Sequence, residues 1–325
     1  MGMSKEPRTL AEAITIFSNE DVAFETMVSL RWPNGVHCPR CGSFNVGFIK
    51  TRKMWECREK KDGKPVHAKK QFSVKVGTIF EDSALPLGKW LPAIWLIANC
   101  KNGISSYELA KDLGVQQKSA WYMLHRIRVA MKVGSFEKID GTTEIDETYV
   151  GGKKKNMHLG KRKGVGTGGA GKANVAGVLK RGDGKSASRV RAMLIADTTT
   201  GTLDKMVRDN VAPGAEVMTD AHGGYRLLSD EYKHEFVNHT TEYVRGHVHT
   251  QGIENFWSLM KRTLRGTYVS VDPAHLLAYC DEQAFRFNER KLTDGERFRL
   301  CAQSVIGKKL TLKELTGYAE ANLPA

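Results

Sequence analysis

The chain has 325 residues, 41% of them hydrophobic, and carries 50 Lys+Arg against 36 Asp+Glu, a net charge of +14. That length suits about two or three domains with cores of their own, and the charge points to a polyanion, most commonly nucleic acid, rather than to a basic surface with no specific partner. No apolar run is long enough to span a bilayer, and "MGMSKEPRTLAEAI" lacks the basic-then-apolar order of a secretory leader, so a cytoplasmic protein that leaves membranes alone is expected.

Residues from about 8 to 30 have helical periodicity, which ends at Trp32-Pro33. The following stretch, "HCPRCGSFNVGFIKTRKMWECREKKDGKPVHAKKQFSVKVGTIF", reads as hairpins too small to hold a core unaided. Three of the six cysteines fall in it, Cys38, Cys41 and Cys57, while Cys100, Cys280 and Cys301 are scattered. Such clustering in a cytosolic chain suggests metal rather than disulfides. Cys38-Pro-Arg-Cys41 is half of a tetrahedral zinc site. Cys57 supplies a third ligand, and His67, ten residues on, is the nearest fourth. His37 is a poorer choice, because adjacent residues rarely point the same way. The alternative is a ribbon that has lost its metal, with His67 in solvent.

From Lys89 to Val133 the period turns helical in three pieces. "SSYELAKDLG" starts on a Ser cap and ends on Gly, and "QQKSAWYMLHRIRVAM" follows after a short turn. The last helix has an apolar stripe of Ala120, Leu124, Ile127 and Met131, with Gln116, Gln117, Lys118, Tyr122, Arg126 and Arg128 elsewhere on it. A second helix with a polar, basic N-terminal end suits a major groove; the alternative is a plain helical hairpin. Three strands ("TTEIDETYV", "NVAGVLKR", "SRVRAMLIAD"), a helix, a strand ("EVMTD") and two long helices then predict a mixed sheet covered by helices. A Gly- and Lys-rich stretch, 151–172, is expected as a mobile basic loop between the first two strands.

That half carries acids where burial would be costly. Asp146 lies at the centre of a β-branched strand, Asp220 ends another, and Glu254 lies on a helix beside the stripe Ile253, Trp257, Met260 and Leu264. Lys261 is about two turns along from Glu254, with Arg262 and Arg265 extending a basic edge. Three carboxylates from separate elements suit a two-metal phosphoryl-transfer site holding Mg²⁺. Glu144, Glu147, Asp183 and Asp197 compete on composition alone; Glu144 shares a strand face with Asp146, and Asp197 reads as a helix cap.

The motifs "CPRCGS", "QFSVKVGTIFEDSALPLGKW", "EIDETYVGGKKK", "MTDAHGGY", "HTQGIENFWSLMKR" and "AYCDEQAFRFNER" together resemble the DDE transposases of bacterial insertion sequences. The branch in question carries an N-terminal zinc ribbon, and the likeness runs over residues 20–290. It implies an RNase H-like catalytic fold, with the acidic triad on Asp146, Asp220 and Glu254 and the family's basic residue on Lys261. The departure is "REKKDGKPV", inserted after Cys57 where a second cysteine would follow promptly. The expected organisation is therefore multidomain. It has an N-terminal helical segment (1–32), a β zinc ribbon (33–82) and a helix-turn-helix DNA-binding domain (83–135). An α/β RNase H-like domain follows, a mixed sheet covered by helices (136–292), then a C-terminal tail (293–325). The expected cofactors are two Mg²⁺ or Mn²⁺ ions at the acids and one structural Zn²⁺ at Cys38, Cys41, Cys57 and His67. The expected partner is double-stranded DNA, both element ends and target, met by at least a dimer in the bacterial nucleoid. The expected activity is cleavage at inverted-repeat ends and joining of the 3′-OH to target. Rival readings are an RNase H-like nuclease or resolvase and a non-catalytic DNA-binding regulator.

Overall fold

The computed structural model describes residues 6–132, 137–152, 171–228, 231–238 and 244–317. Most of the expected basic loop, 153–170, lies outside the described residues. Two compact units emerge, one of Met1–Met131 with Leu292–Ala325 and one of Lys132–Lys291.

The first unit opens with α1 (Leu10–Phe17) and α2 (Glu20–Arg31), started by side-chain caps from Thr9 and Asn19. A small antiparallel sheet follows, with β2 (Met54–Cys57) between β1 (Val46–Ile49) and β5 (Gln71–Ser73). Its core is aromatic: Trp55 stacks on Phe24 at 5.6 Å between ring centroids and meets Trp32 edge-on at 5.2 Å. The insertion after Cys57 is itself a hairpin, β3 (Lys60–Lys61) and β4 (Lys64–Pro65). It turns on Asp62 and Gly63, both at positive φ, the Asp-Gly turn that suits two-residue hairpins.

Next comes α3 (Leu87–Asn99), buried on every side from Trp90 to Ala98 and so the central helix of this unit. A capping box at Ser105 and Glu108 starts α4 (Ser106–Leu113), Gly114 at φ 60° ends it, and α5 (Gln117–Met131) follows directly. The predicted stripe Ala120, Leu124, Ile127 and Met131 is buried.

The C-terminal segment corrects the expectation of a tail. Within 293–325, residues Asp294–Gln303 form a helix and Leu312–Thr316 another, each started by a capping box. Phe298 packs against Phe17 and Trp95 at 5.4 and 5.7 Å, and Ile79 N–H donates to Val305 O. Phe298 and Val305 are buried, which anchors the segment in the first unit's core.

The second unit is built on a five-stranded sheet. Its strands are β6 (Thr143–Val150), β7 (Ala173–Lys180), β8 (Arg189–Ile195), β9 (Glu216–Asp220) and β10 (Lys233–Val237), in the order β10-β9-β6-β7-β8. Neighbours β6, β7 and β8 run antiparallel, while β9 runs parallel to β6 and β10 parallel to β9. β10 goes beyond the four predicted strands; its mostly polar, partly exposed sequence "KHEFV" hides the alternation of a half-buried strand. Between β8 and β9 comes α6 (Thr200–Asn210), whose Leu203, Met206 and Val207 pack on one face with Ile145, Ala176, Val178 and Val217. The other face is covered by α7 (Gln251–Thr263) and α8 (Leu276–Asn288). There Ile253, Phe256, Trp257 and Met260 meet Val175, Leu179, Val190 and Ala192. Each such large apolar side chain contributes about 1.5–3 kcal/mol on burial.

Two polar devices fix α8. Asn288 forms a two-bond rung with Val190 of β8, donating to its O and accepting from its N–H. Glu282, fully buried, is held by Arg286 and by the Tyr268 hydroxyl, which ties α8 to the π-helical turn Leu264–Tyr268 that ends α7.

Candidate catalytic and metal sites

The β3–β4 hairpin brings the chain back so that His67 Nε2 lies 3.2 Å from Cys38 Sγ, while Cys41 and Cys57 sulfurs are 3.6 Å apart. The four ligand atoms all lie within 4.8 Å of one another. Burial opposes ionisation of Cys38, but the Arg40 and Cys41 amides and the Cys41 and His67 side chains outweigh it and bring the thiol down to about 7. Burial pushes Cys57 up to about 11. Three soft sulfurs and one imidazole converging without a disulfide suit tetrahedral zinc.

In the second unit the register Thr143↔Val217 and Glu144↔Met218, continued two residues, sets Asp146 of β6 beside Asp220 at the end of β9. Asp146 also faces Gly177 across β7. A side chain at Gly177 would meet Ile253 and Trp257 at 2.7 Å, so this glycine lets α7 lie close over the acid. Glu254, in the first turn of α7, accepts a hydrogen bond from Thr250 Oγ1 at 2.8 Å. The three carboxylates share one field: withdrawal from water, then the charges of Glu147, Asp220 and Glu254, push Asp146 up to about 8. A carboxylate so placed keeps its proton unless a cation takes its place, which suits a divalent ion. Burial and the neighbouring Arg265 lower the Lys261 pKa, against the pull of Asp146.

Other acids have other occupations. Asp183 accepts from Lys185 and Ser186 in the β7–β8 turn, and Asp197 accepts from Thr199 N–H and Oγ1 just before α6. Glu147 faces away from α7 and is bound by the Tyr225 hydroxyl, with His222 Nδ1 at 3.7 Å. Glu144, 1% exposed, accepts from Arg181 Nε at 2.7 Å and from Ile253 N–H at 2.9 Å. The sequence showed Glu144 on the face of Asp146, but nothing in it announced Arg181 as the partner. Glu216, Glu235 and His247 also converge within 4.8 Å, but His247 is exposed and its Nε2 already lies against Glu216 Oε1 at 2.9 Å.

Of the expected DNA-contacting side chains, Gln116, Lys118, Arg262 and Arg265 are exposed and Lys261 is half-buried. Gln117 donates to Ser106 Oγ at 2.8 Å, bracing the α4–α5 turn. Arg126 is the correction. It is buried, donates to Glu81 O, and lies over Trp90 and Tyr122 at 5.6 and 5.2 Å. Arg128 is buried too. Both lie on a helix that the C-terminal segment also touches, through Tyr122 Oη to Leu310 O and Lys308 Nζ to Ala130 O.

Comparison with known proteins fits this arrangement. The transposase zinc-ribbon domain matches residues 18–59, and the ISXO2-like transposase domain matches residues 138–288. A zinc ribbon joined to a mixed-sheet transposase domain defines the class. The chain belongs to the transposases, and its second unit is similar to the ISXO2-like transposase domain. It is 27% identical over 266 residues to an uncharacterized protein in transposable element ISH50 of Halobacterium salinarum, covering 77% of this chain and 85% of that one. It is 30% identical over 105 residues to an uncharacterized transposase-like protein of Haemophilus influenzae, covering 32% of this chain and 85% of that one. No solved structure matches. Among the described residues no helix is long and apolar enough to cross a membrane.

Proposed function

We propose that the protein is a metal-dependent DNA transposase that binds the terminal inverted repeats of an insertion sequence, cleaves at its ends and joins the freed 3′-OH to target DNA. The observation that carries this reading is the setting of Asp146 beside Asp220 on adjacent strands, with Glu254 on the covering helix, in a unit belonging to a transposase family; burial first, then the charges of Glu147, Asp220 and Glu254, push Asp146 up to about 8. The strand order β8-β7-β6-β9-β10, with the two aspartates on adjacent central strands, supports an RNase H-like reading of that unit. Asp146, Asp220 and Glu254 would hold two Mg²⁺ or Mn²⁺ ions, which supply Lewis acidity to the attacking and leaving oxygens of phosphoryl transfer. Lys261 pairs with a phosphate beside the scissile bond, and Arg262 and Arg265 carry the backbone onward. Water and then the 3′-OH are the nucleophiles, so no covalent protein–DNA link forms.

The ribbon, holding Zn²⁺ through Cys38, Cys41, Cys57 and His67, and the helix-turn-helix of α4 and α5 bind the repeat. Gln116 and Lys118 reach the groove while Gln117 braces the turn. Two element ends call for at least two protomers on DNA. The test is purified protein with a labelled end fragment and Mg²⁺, cleavage and joining products resolved on one gel. Both products are expected. Cleavage without joining would favour a nuclease, and binding without either would favour a regulator.

A further inference from the structure

Helix α7 carries Glu254, and the Thr250 side chain at its N-cap does not bond the backbone of the first turn; the Thr250 carbonyl accepts the Glu254 N–H at 3.1 Å, and His249 Nδ1 accepts the Gln251 N–H at 3.4 Å. The first four N–H groups of a helix need partners. A further one comes from the sheet. Glu144 Oε2 accepts the Ile253 N–H at 2.9 Å, so a carboxylate from strand β6 caps the helix in trans. Its other oxygen accepts from Arg181 Nε at 2.7 Å. Arg181 in turn grips the segment leading into α7, donating to His247 O and His249 O at 2.7 Å and reaching His249 Nδ1 at 2.8 Å. Gly252 is part of the fit, since a Cβ there would stand 2.9 Å from Glu144 Oε2.

The geometry matters because of what adjoins each end. Glu144 is two residues from Asp146 on the same strand face, about 6.6 Å along the strand, and Ile253 immediately precedes Glu254. We infer that Glu144 and Arg181 are positioning residues for the metal-binding acids, a clamp that docks the first turn of α7 on β6 and so fixes Glu254 relative to Asp146. The inference rests on the proposed reading of those acids. The clamp touches neither substrate nor ion; it sets the spacing of the groups that do. Supporting contacts around metal ligands are commonly worth about 10–100-fold in metal affinity when removed.

The test uses the full-length protein and Mn²⁺ binding by calorimetry, counting only binding that Asp146→Asn abolishes. Thermal unfolding without divalent ion and affinity for end DNA are measured alongside. Glu144→Gln keeps the shape of the side chain but weakens the charge-assisted bonds. It is expected to weaken that Mn²⁺ binding about tenfold or more and to raise the Mg²⁺ concentration for half-maximal cleavage in proportion, while DNA affinity stays within about twofold. Excess metal should restore the cleavage rate. Arg181→Lys and Gly252→Ala should shift Mn²⁺ binding the same way, and they decide the matter if Glu144→Gln does not fold. Parental Mn²⁺ affinity in the folded variants, with only a lowered melting temperature, would make the clamp purely structural and overturn the inference. A parent protein lacking Asp146-dependent Mn²⁺ binding would instead bring down the reading of the acids, and the clamp's role with it. A parent that binds Mn²⁺ there yet never cleaves DNA would leave the clamp standing and sink the transposase mechanism alone.

Discussion

Asp146 lies among other carboxylates on a strand covered by a helix, so its proton affinity rises from its ordinary 3.8 to about 8. In the metal-free protein the folded state therefore keeps a proton that the unfolded chain releases across that interval. The stability this contributes is full below about pH 4 and is lost as pH climbs toward 8. Asp146→Asn should accordingly melt higher than the parent at pH 8 without divalent ions and no higher at pH 4; equal melting temperatures at pH 8 would contradict this. Asp197→Asn, whose carboxylate serves Thr199 and Thr202 at the start of α6, should leave cleavage within about twofold of the parent. Arg126 shows where residue-level reading failed. Helical spacing gives one apolar stripe and leaves the rest of α5 open to any role, but Arg126 is enclosed by Trp90, Tyr122 and the Glu81 carbonyl. Arg126→Ala should cost about 1.5–3 kcal/mol in denaturant unfolding, the worth of a buried charged hydrogen bond. A destabilisation below about 0.5 kcal/mol would place that side chain back in solvent.

At the scale of elements, the apolar period made the helices legible, and spacing made the first knuckle legible. The stripe on α7 and the Ser-to-Gly span of α4 stand as read, because local periodicity and caps decide them. His67 was legible only as the nearest available ligand; a hairpin turning at Asp62-Gly63 separates it from Cys57. Strand β10 and helix Asp294–Gln303 went unread because each is short and mainly polar; β10 is held by its pairing with β9, and the helix by packing on Phe17 and Trp95 far back in the chain. The ribbon's sheet is small, so metal should be part of its stability. Cys38→Ser should lose stoichiometric zinc and the near-ultraviolet signal of the Trp55 cluster, with the transposase domain still folded. A variant that retains one zinc by elemental analysis would remove Cys38 from the ligand set. Gly177→Ala tests the seat of α7. The added methyl must displace Ile253 or Trp257, which should destabilise by about 1–3 kcal/mol and weaken cleavage more than DNA binding.

For the whole molecule, a charge of +14 makes phosphate contact the natural source of affinity. Binding to end DNA should fall steeply and linearly on a log–log plot as salt rises, and a flat plot would mean that other forces bind the DNA. Topology sets the acids near one another: the parallel register of β6 and β9, continued two residues, sets Asp146 beside Asp220, 74 residues apart, and the charge of Glu254 on α7 also acts on Asp146. The types of these acids were readable in the chain, but their common field exists only once the sheet forms. If they are one site, each is indispensable and losses do not add. The most direct measurement is therefore cleavage of end-bearing DNA by Asp146→Asn, Asp220→Asn and Glu254→Gln, singly and in pairs. Each single change should lower cleavage by about three orders of magnitude or more with end binding retained, and the pairs should be no worse than the singles. Parental cleavage by any single variant, or losses that multiply from single to double, would contradict the three-acid site.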